Sequence, residues 1–403
     1  MKQYYKSKRI YFEDGCKKGV LVTENGKFVD FLAGDQDIDG CLDFNDQRII
    51  PGIIDTHNHG KLGYYLFMDV TDSETEKLRV VKEYLKTNAE DGVTGILPTA
   101  KLPYFNAIYE CYKEKAIGSR ILGIHSEGPW LNRVGEKGRP RPYPTVSVAY
   151  LDKMIFDAHG LLKVVGLAPE IPGIDKIMEV LKENHIDISF AHSNCNYEET
   201  LQAIANGVNT ATHLSNVMTG LHHRDIGGTG ALLMSDKVYC EIICDGLHVS
   251  LPYLNMILKL KDPNYLLMIS DSSSLAASPV GEYRSPAGDV KVYIDEHGFI
   301  KDSDGRINGS SKPVLYGIAN LVEKLHIPME MVIQMSCLTP AKKYGFGSSK
   351  GSIKIGKDAD FVVITEDYKV VKTFVEGNEV YDQHDEKITF NPNYYNSLDN
   401  IER

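Results

Sequence analysis

Short apolar runs recur along the middle of the chain, separated by stretches in which apolar residues return every three or four positions. The runs are Arg48–Asp55, Val93–Ala100, Ile121–Glu127, Leu162–Glu170, Ile186–Ser193, Asn209–Ser215, Tyr239–Asp245 and Tyr265–Asp271. Each is brief, β-branched or aromatic in parts, and apolar on both faces, as a parallel strand covered on both sides of its sheet requires. Between them, Glu74 to Glu90 sets Leu78, Val81 and Leu85 on one helical face, and Ile174 to Asn184 does the same with Ile177, Val180 and Leu181. Glu198 to Ala205 and Pro252 to Lys261 read similarly. This succession of strand–helix units over roughly 300 residues predicts an α/β fold of the (β/α)8 TIM-barrel type. A doubly wound sheet is the alternative, and it explains so many consecutive runs less well.

The two ends follow another pattern. Residues 1–48 are punctuated by glycine and alternate over Gly19–Thr23 and Lys27–Leu32. Residues 350–381 carry short strands in Gly351–Ile364, Val370–Glu376 and Asn378–Tyr381, with turn residues between. Together, residues 1–48 and 350–385 predict a small β-sandwich domain into which the barrel, residues 49–349, is inserted. The polar finish over 386–403, with Asn391-Pro392-Asn393, predicts a loosely docked tail.

Composition narrows the class. At 403 residues, 42% hydrophobic and 25% charged, the chain reads as an ordinary globular protein with one large core and a satellite. No stretch of eighteen apolar residues is present, so no membrane span is expected. Residues 1–13 lack an apolar core of the kind a secretory signal needs, which predicts a cytoplasmic protein. The seven cysteines are scattered without a C-x-x-C, which suits a reducing compartment and argues against thiolate zinc. A net charge of -11 with no basic stripe disfavours nucleic acid as a partner.

The chemistry lies where the runs end. The first closes on Asp55-Thr-His57-Asn-His59, the third on His125-Ser-Glu127, the fifth on His192, the sixth on His213, and the eighth on Asp271; Asp245-Gly-Leu-His248 follows the seventh. A barrel brings the C-terminal ends of its strands to one mouth, so these groups converge. Four histidines and two carboxylates there suit a divalent ion such as zinc or iron, one or two per subunit. His57 and His59, two apart on a strand, share a face and grip one ion. Glu127 sits where it can bridge two ions, His192 and His213 hold the second, and Asp271 reaches the bound water. Singly, each has a plainer reading: a hydrogen-bonded core histidine, a buried ion pair for Glu127, or an N-cap for Asp271 before Ser272–Ala277. Jointly, six buried ionisable groups without a metal would each cost several kcal/mol.

These residues resemble the amidohydrolase superfamily and, within it, the N-acetylglucosamine-6-phosphate deacetylases. The resemblance is carried by Pro51-Gly-Ile-Ile-Asp-Thr-His-Asn-His-Gly60, His125-Ser-Glu-Gly-Pro-Trp-Leu-Asn132, Ala191-His-Ser-Asn194, Thr212-His-Leu-Ser-Asn-Val-Met218, Leu221-His-His-Arg-Asp225, Asp245-Gly-Leu-His248, Ile269-Ser-Asp271 and Gly309-Ser310. It implies that Glu127, His192 and His213 bind the main metal, that His57 and His59 complete a second site, and that Asp271 is the catalytic base and acid. It further implies that Arg224 holds the substrate phosphate with help from the backbone of Asn216 and Val217. His248 would face the reacting carbonyl, and Ile307, Asn308 and Gly309 would lie against the sugar. An ion pair with Asp225 is the plainer reading of Arg224.

The implied function is metal-assisted hydrolysis of the acetamide of an N-acetyl amino sugar 6-phosphate, by a homodimer whose partner chain completes the phosphate pocket. Departures cluster in the substrate loops. Ser126 replaces an apolar residue, Arg139-Pro140 stand where the family has a small residue and a sugar-contacting histidine, and Ser215 replaces an aromatic. Arg139 and Arg141 either add an anion contact or are solvated loop residues. A different N-acyl amino sugar, amine or N-acyl amino acid is therefore the alternative substrate.

Overall fold

The computed structural model describes residues 1–132, 143–286 and 290–399. Its centre is a (β/α)8 barrel. Its strands are β1 (Ile53–Asn58), β2 (Val93–Pro98), β3 (Ile124–Glu127), β4 (Leu162–Leu167), β5 (Asp187–Phe190), β6 (Val208–Ala211), β7 (Tyr239–Ile243) and β8 (Leu266–Ile269). Helices follow in turn: α1 (Glu74–Ala89), α2 (Phe105–Lys113), α3 (Val148–Asp157), α4 (Asp175–Glu183), α5 (Tyr197–Ala205), α6 (Gly227–Met234), α7 (Leu251–Leu260) and α8 (Val314–Ala319). All the barrel pairings are parallel, β1 with β2 and β3 through β8 in order. Bridges from Thr99 to His125 and from Asn58 to Ser272 close the ring at its two seams.

Local sequence explains several of these elements. Ser73 caps α1 by accepting from the Glu76 amide, and Asn196 with Glu199 forms a reciprocal capping box on α5. Helix α6 is a glycine-rich segment buried at all but Met234, so it shows no polar face to read. A separate apolar cluster joins Ile54, Leu97, Val164 and Leu267 from β1, β2, β4 and β8. Because those strands are spread around the ring, this cluster lies inside the barrel and floors the polar mouth above it.

The run Arg48–Asp55 is not one strand. It divides at Gly52: Arg48–Pro51 pairs with Gln3–Phe12 and Phe361–Ile364, and β1 begins at Ile53. A Cβ at Gly52 would lie 2.0 Å from Thr94 Oγ1, so only glycine lets the chain pass this close to β2. The terminal segments make one eight-stranded sheet around a core that includes Tyr5, Leu21, Phe28, Ile49, Phe361 and Phe374. The rings of Tyr5 and Phe374 are 5.0 Å apart although two strands lie between theirs. In a flat sheet they would be about 14 Å apart, so the sheet folds over to face itself.

Two further features were not expected. A small antiparallel sheet of Gly281–Arg284, Lys291–Ile294 and Ile300–Asp302 follows β8. The tail is firmly docked: Tyr394 is fully buried and bonds Ser274, while the Asn391 backbone amide and side-chain amide donate to Leu62 and Gly63. No helix among the described residues is long and apolar enough to cross a membrane.

Candidate metal centre

Six of the expected residues meet at the barrel mouth. Glu127 stands between two pairs of histidines: its Oε1 lies 2.9 Å from both His192 Nε2 and His213 Nε2, and its Oε2 lies 3.3 Å from His59 Nε2. His57 Nε2 is 3.1 Å from His59 Nε2, and His192 Nε2 is 3.2 Å from His213 Nε2. Asp271 Oδ1 is 3.3 Å from His59 Nε2 and 3.5 Å from His57 Nε2. Two triads, His57–His59–Asp271 and Glu127–His192–His213, have the mutual spacing of a metal-ligand set.

The donor set fits a cation. Two imidazole nitrogens that face each other must place lone pair against lone pair, or N–H against N–H, unless one donates. A tetrahedral ion with bonds of about 2.0 Å sets its ligand atoms about 3.3 Å apart, close to the spacings observed. Without an ion, protons take that role. Burial works against charge on His59 and His213, yet hydrogen bonds with the carboxylates of Glu127 and, for His59, Asp271 carry both up to about 9. Burial would raise Asp271 and Glu127, but the surrounding histidines hold both carboxylates well below the usual range. His57, in contrast, is pushed down to about 4 by burial.

The backbone helps to aim these groups. His192, His213 and Asp271 have φ of 45°, 29° and 50°, a region that side chains other than glycine rarely adopt. Each such residue costs on the order of 1–3 kcal/mol, and such costs collect at functional sites. Asp271 is not an N-cap, because no helix follows over 272–277. Its amide donates to the His57 carbonyl at 3.0 Å, and its own carbonyl accepts from the Ser310 amide at 2.8 Å. Behind the His57–His59 strand, Asp55 accepts from Ser270 Oγ at 2.5 Å and Asn58 Nδ2 at 3.0 Å; burial lifts it to about 6.

The structure draws in two further residues: His125, which the sequence placed at the mouth without a role, and Glu241, which it did not single out. His57, His125 and Glu241 form a third close group, each fully buried. Glu241 Oε2 lies 2.9 Å from His57 Nδ1, and burial raises this carboxyl to about 7. Both had a signal: His125 shares the inward face of β3 with Glu127, and Glu241 is a lone charge inside a buried strand.

The expected substrate residues sit farther out. His248 Nδ1 bonds Asp245 Oδ2 at 2.8 Å, and Ser310 Oγ donates to the same oxygen at 2.9 Å. Gly309, at φ 66°, packs so closely that a Cβ would lie 3.0 Å from the Asp271 carbonyl oxygen. Asn308 is tied to Ile300 by its backbone amide, and Ile307 is exposed. Asn216 and Val217 lie in the turn after β6, where the Asn216 side chain folds back onto the His213 carbonyl. Ser126 bonds the Gly128 carbonyl, and Ser215 bonds Tyr253. Arg224 is exposed, with Nη1 2.7 Å from His223 Nε2; it is not paired with Asp225, whose carboxylate accepts from the Gly227 amide instead. Arg139, Pro140 and Arg141 lie outside the described residues.

Residues 48–380 match the model of the amidohydrolase family. The chain is 30% identical over 370 residues to the N-acetylglucosamine-6-phosphate deacetylase of Vibrio furnissii, covering 90% of each protein. It is 29% identical over 339 residues to the N-acetylgalactosamine-6-phosphate deacetylase of Escherichia coli O157:H7, covering 82% of this chain and 87% of that one. Among solved structures, the N-acetylglucosamine-6-phosphate deacetylase of Pasteurella multocida superposes with a TM-score of 0.82 at 26% identity, covering 94% of this chain and 99% of the other.

Proposed function

Because the chain belongs to the amidohydrolase family, we propose that it hydrolyses the acetamide of an N-acetyl amino sugar 6-phosphate, N-acetylglucosamine-6-phosphate foremost, to the amino sugar phosphate and acetate. The observation that carries this reading is Glu127, with one oxygen toward His192 and His213 and the other toward His59. That arrangement supports a divalent centre in which Glu127, His192 and His213 hold one ion and His57 and His59 the other, with Asp271 beside both histidines. We assign zinc or iron, one or two per subunit, from the mixed nitrogen and oxygen donors. A divalent ion held there supplies Lewis acidity, polarising a carbonyl and acidifying water from a pKa of about 15.7 toward about 7.

The chain's own residues do the rest. Asp271 takes the proton from the attacking water and returns it to the leaving amine nitrogen. His248, steadied through Nδ1 by Asp245, directs its other nitrogen at the reacting carbonyl. Arg224 grips the 6-phosphate through charge-assisted hydrogen bonds, with the backbone of Asn216 and Val217 alongside. Ile307, Asn308 and Gly309 wall the sugar, and Arg139 is a further substrate contact. A homodimer, in which a second chain completes the phosphate pocket, is proposed from the family resemblance alone. The seven free cysteines support a cytoplasmic setting.

The test is acetate release by metal-loaded protein from N-acetylglucosamine-6-phosphate, N-acetylgalactosamine-6-phosphate, N-acetylglucosamine and an N-acetyl amino acid. The expected result is the highest kcat/KM for N-acetylglucosamine-6-phosphate. Preference for the galacto epimer would favour a second reading, which rests on the likeness to the Escherichia coli deacetylase. Turnover confined to unphosphorylated compounds would overturn both.

A further inference from the structure

Glu241 has no ordinary reason to be where it is. It sits in the middle of β7, is fully buried, and has neither lysine nor arginine as an ion-pair partner among the described residues. Its Oε2 faces His57 Nδ1 at 2.9 Å and the His213 amide nitrogen at 3.3 Å, while Oε1 has no hydrogen-bond partner. A buried carboxylate left partly unsatisfied is destabilising, and an apolar side chain would serve the barrel better if the anion had no use.

The use follows from the two nitrogens of His57. Nε2 faces His59, Asp271 and Glu127; Nδ1 faces Glu241. A neutral imidazole carries one proton, and the partner of one nitrogen decides the state of the other. For Nε2 to present a lone pair to an ion, the proton must sit on Nδ1, where Glu241 accepts it. We propose that Glu241 is a positioning residue for the second metal site, fixing the tautomer of His57 and strengthening Nε2 as a ligand through the hydrogen bond at Nδ1. His125 restrains the same ring. Its Nδ1 is tethered to the Thr56 carbonyl at 3.1 Å, and its ring meets that of His57 edge-on at 4.4 Å. The inference rests on the reading that His57 and His59 hold an ion.

The experiment is zinc binding to metal-stripped protein in competition with a chromogenic chelator, with metal content and thermal melting measured alongside. Wild type is expected to take two equivalents and His59→Ala one. Glu241→Gln keeps the shape and an acceptor but loses the charge; Glu241→Leu loses both. One equivalent should weaken in both variants, approaching 10- to 100-fold in Glu241→Leu, while the other stays at wild-type affinity. Unchanged binding in a folded Glu241→Leu protein overturns the proposal, as does equal weakening of both equivalents in either variant. If Glu241→Leu does not fold, unchanged binding in Glu241→Gln overturns it. A wild-type protein that takes one equivalent and is indifferent to His59→Ala sinks the two-ion reading itself, which is a different result.

Discussion

The ligand cluster and the loop bearing Arg224 lie at the same end of one barrel, yet their side chains are held differently. His57 is buried and has contacts on both sides of its ring, from Glu241 on β7 and from His59, Glu127 and Asp271. Asp271 is bonded through its backbone to the His57 carbonyl and the Ser310 amide. Arg224 is exposed on the loop between β6 and α6, and its guanidinium meets His223. Groups that would carry out the proposed reaction are thus tied across several strands, while a group that would select the substrate hangs from one loop. Loops tolerate change that buried strands do not. Relatives named for N-acetylglucosamine-6-phosphate and for N-acetylgalactosamine-6-phosphate resemble this chain almost equally, as that division leads one to expect.

The largest effect that would sharpen this contrast concerns metal and protons. His59 and His213 sit at about 9 in the metal-free protein, so at neutral pH both carry a proton that an ion must displace. Filling both sites should release about two protons, so the combined affinity should fall about 100-fold for each pH unit below about 9. Calorimetry in buffers of different ionisation enthalpy reads that number, and release of none would break the picture of a proton-filled cluster. The sign for stability is opposite. Because both values lie above 6.5, these histidines stabilise the metal-free fold fully below pH 6.5 and lose that effect as pH rises through 9. The melting temperature of stripped protein should therefore decline over that window.

Next in size, Asp271→Asn should lower kcat by about 10²- to 10⁴-fold while metal content stays near normal. Loss of metal in that variant would make Asp271 chiefly a ligand. Arg224→Ala should raise KM for a 6-phosphate substrate by about 10- to 100-fold, the worth of a hydrogen bond to a charged group, and leave the unphosphorylated analogue unaffected. Equal effects on both substrates would remove the contrast between a chemical interior and a selective rim. The smallest effect tests the seam between the two. Gly309→Ala puts a methyl group 2.9 Å from Ser273 Cβ and 3.0 Å from the Asp271 carbonyl oxygen, at a positive φ. A loss of about 1–3 kcal/mol is expected, with kcat falling further than KM changes because Asp271 is displaced.

Much of the fold could be read directly, and the reasons are local. A buried parallel strand must be apolar on both faces, and the helices at Glu74–Ala89 and Asp175–Glu183 show their period plainly. Other features depended on distant parts of the chain. Gly52 divides an apolar run because Thr94 lies against it, and Tyr394 anchors an otherwise polar tail because Ser274 and the barrel core receive it. Neither is visible from neighbouring residues.

By itself, the sequence determined the barrel and the six ionisable residues at its mouth, because strand ends in a barrel converge wherever they occur in the chain. The tertiary structure alone decided which nitrogen of His57 faces the cluster, that Glu127 divides its oxygens between two histidine pairs, and that Glu241 stands behind His57. Those are relations between atoms on different strands, set by how the ring closes, and no spacing along the chain records them.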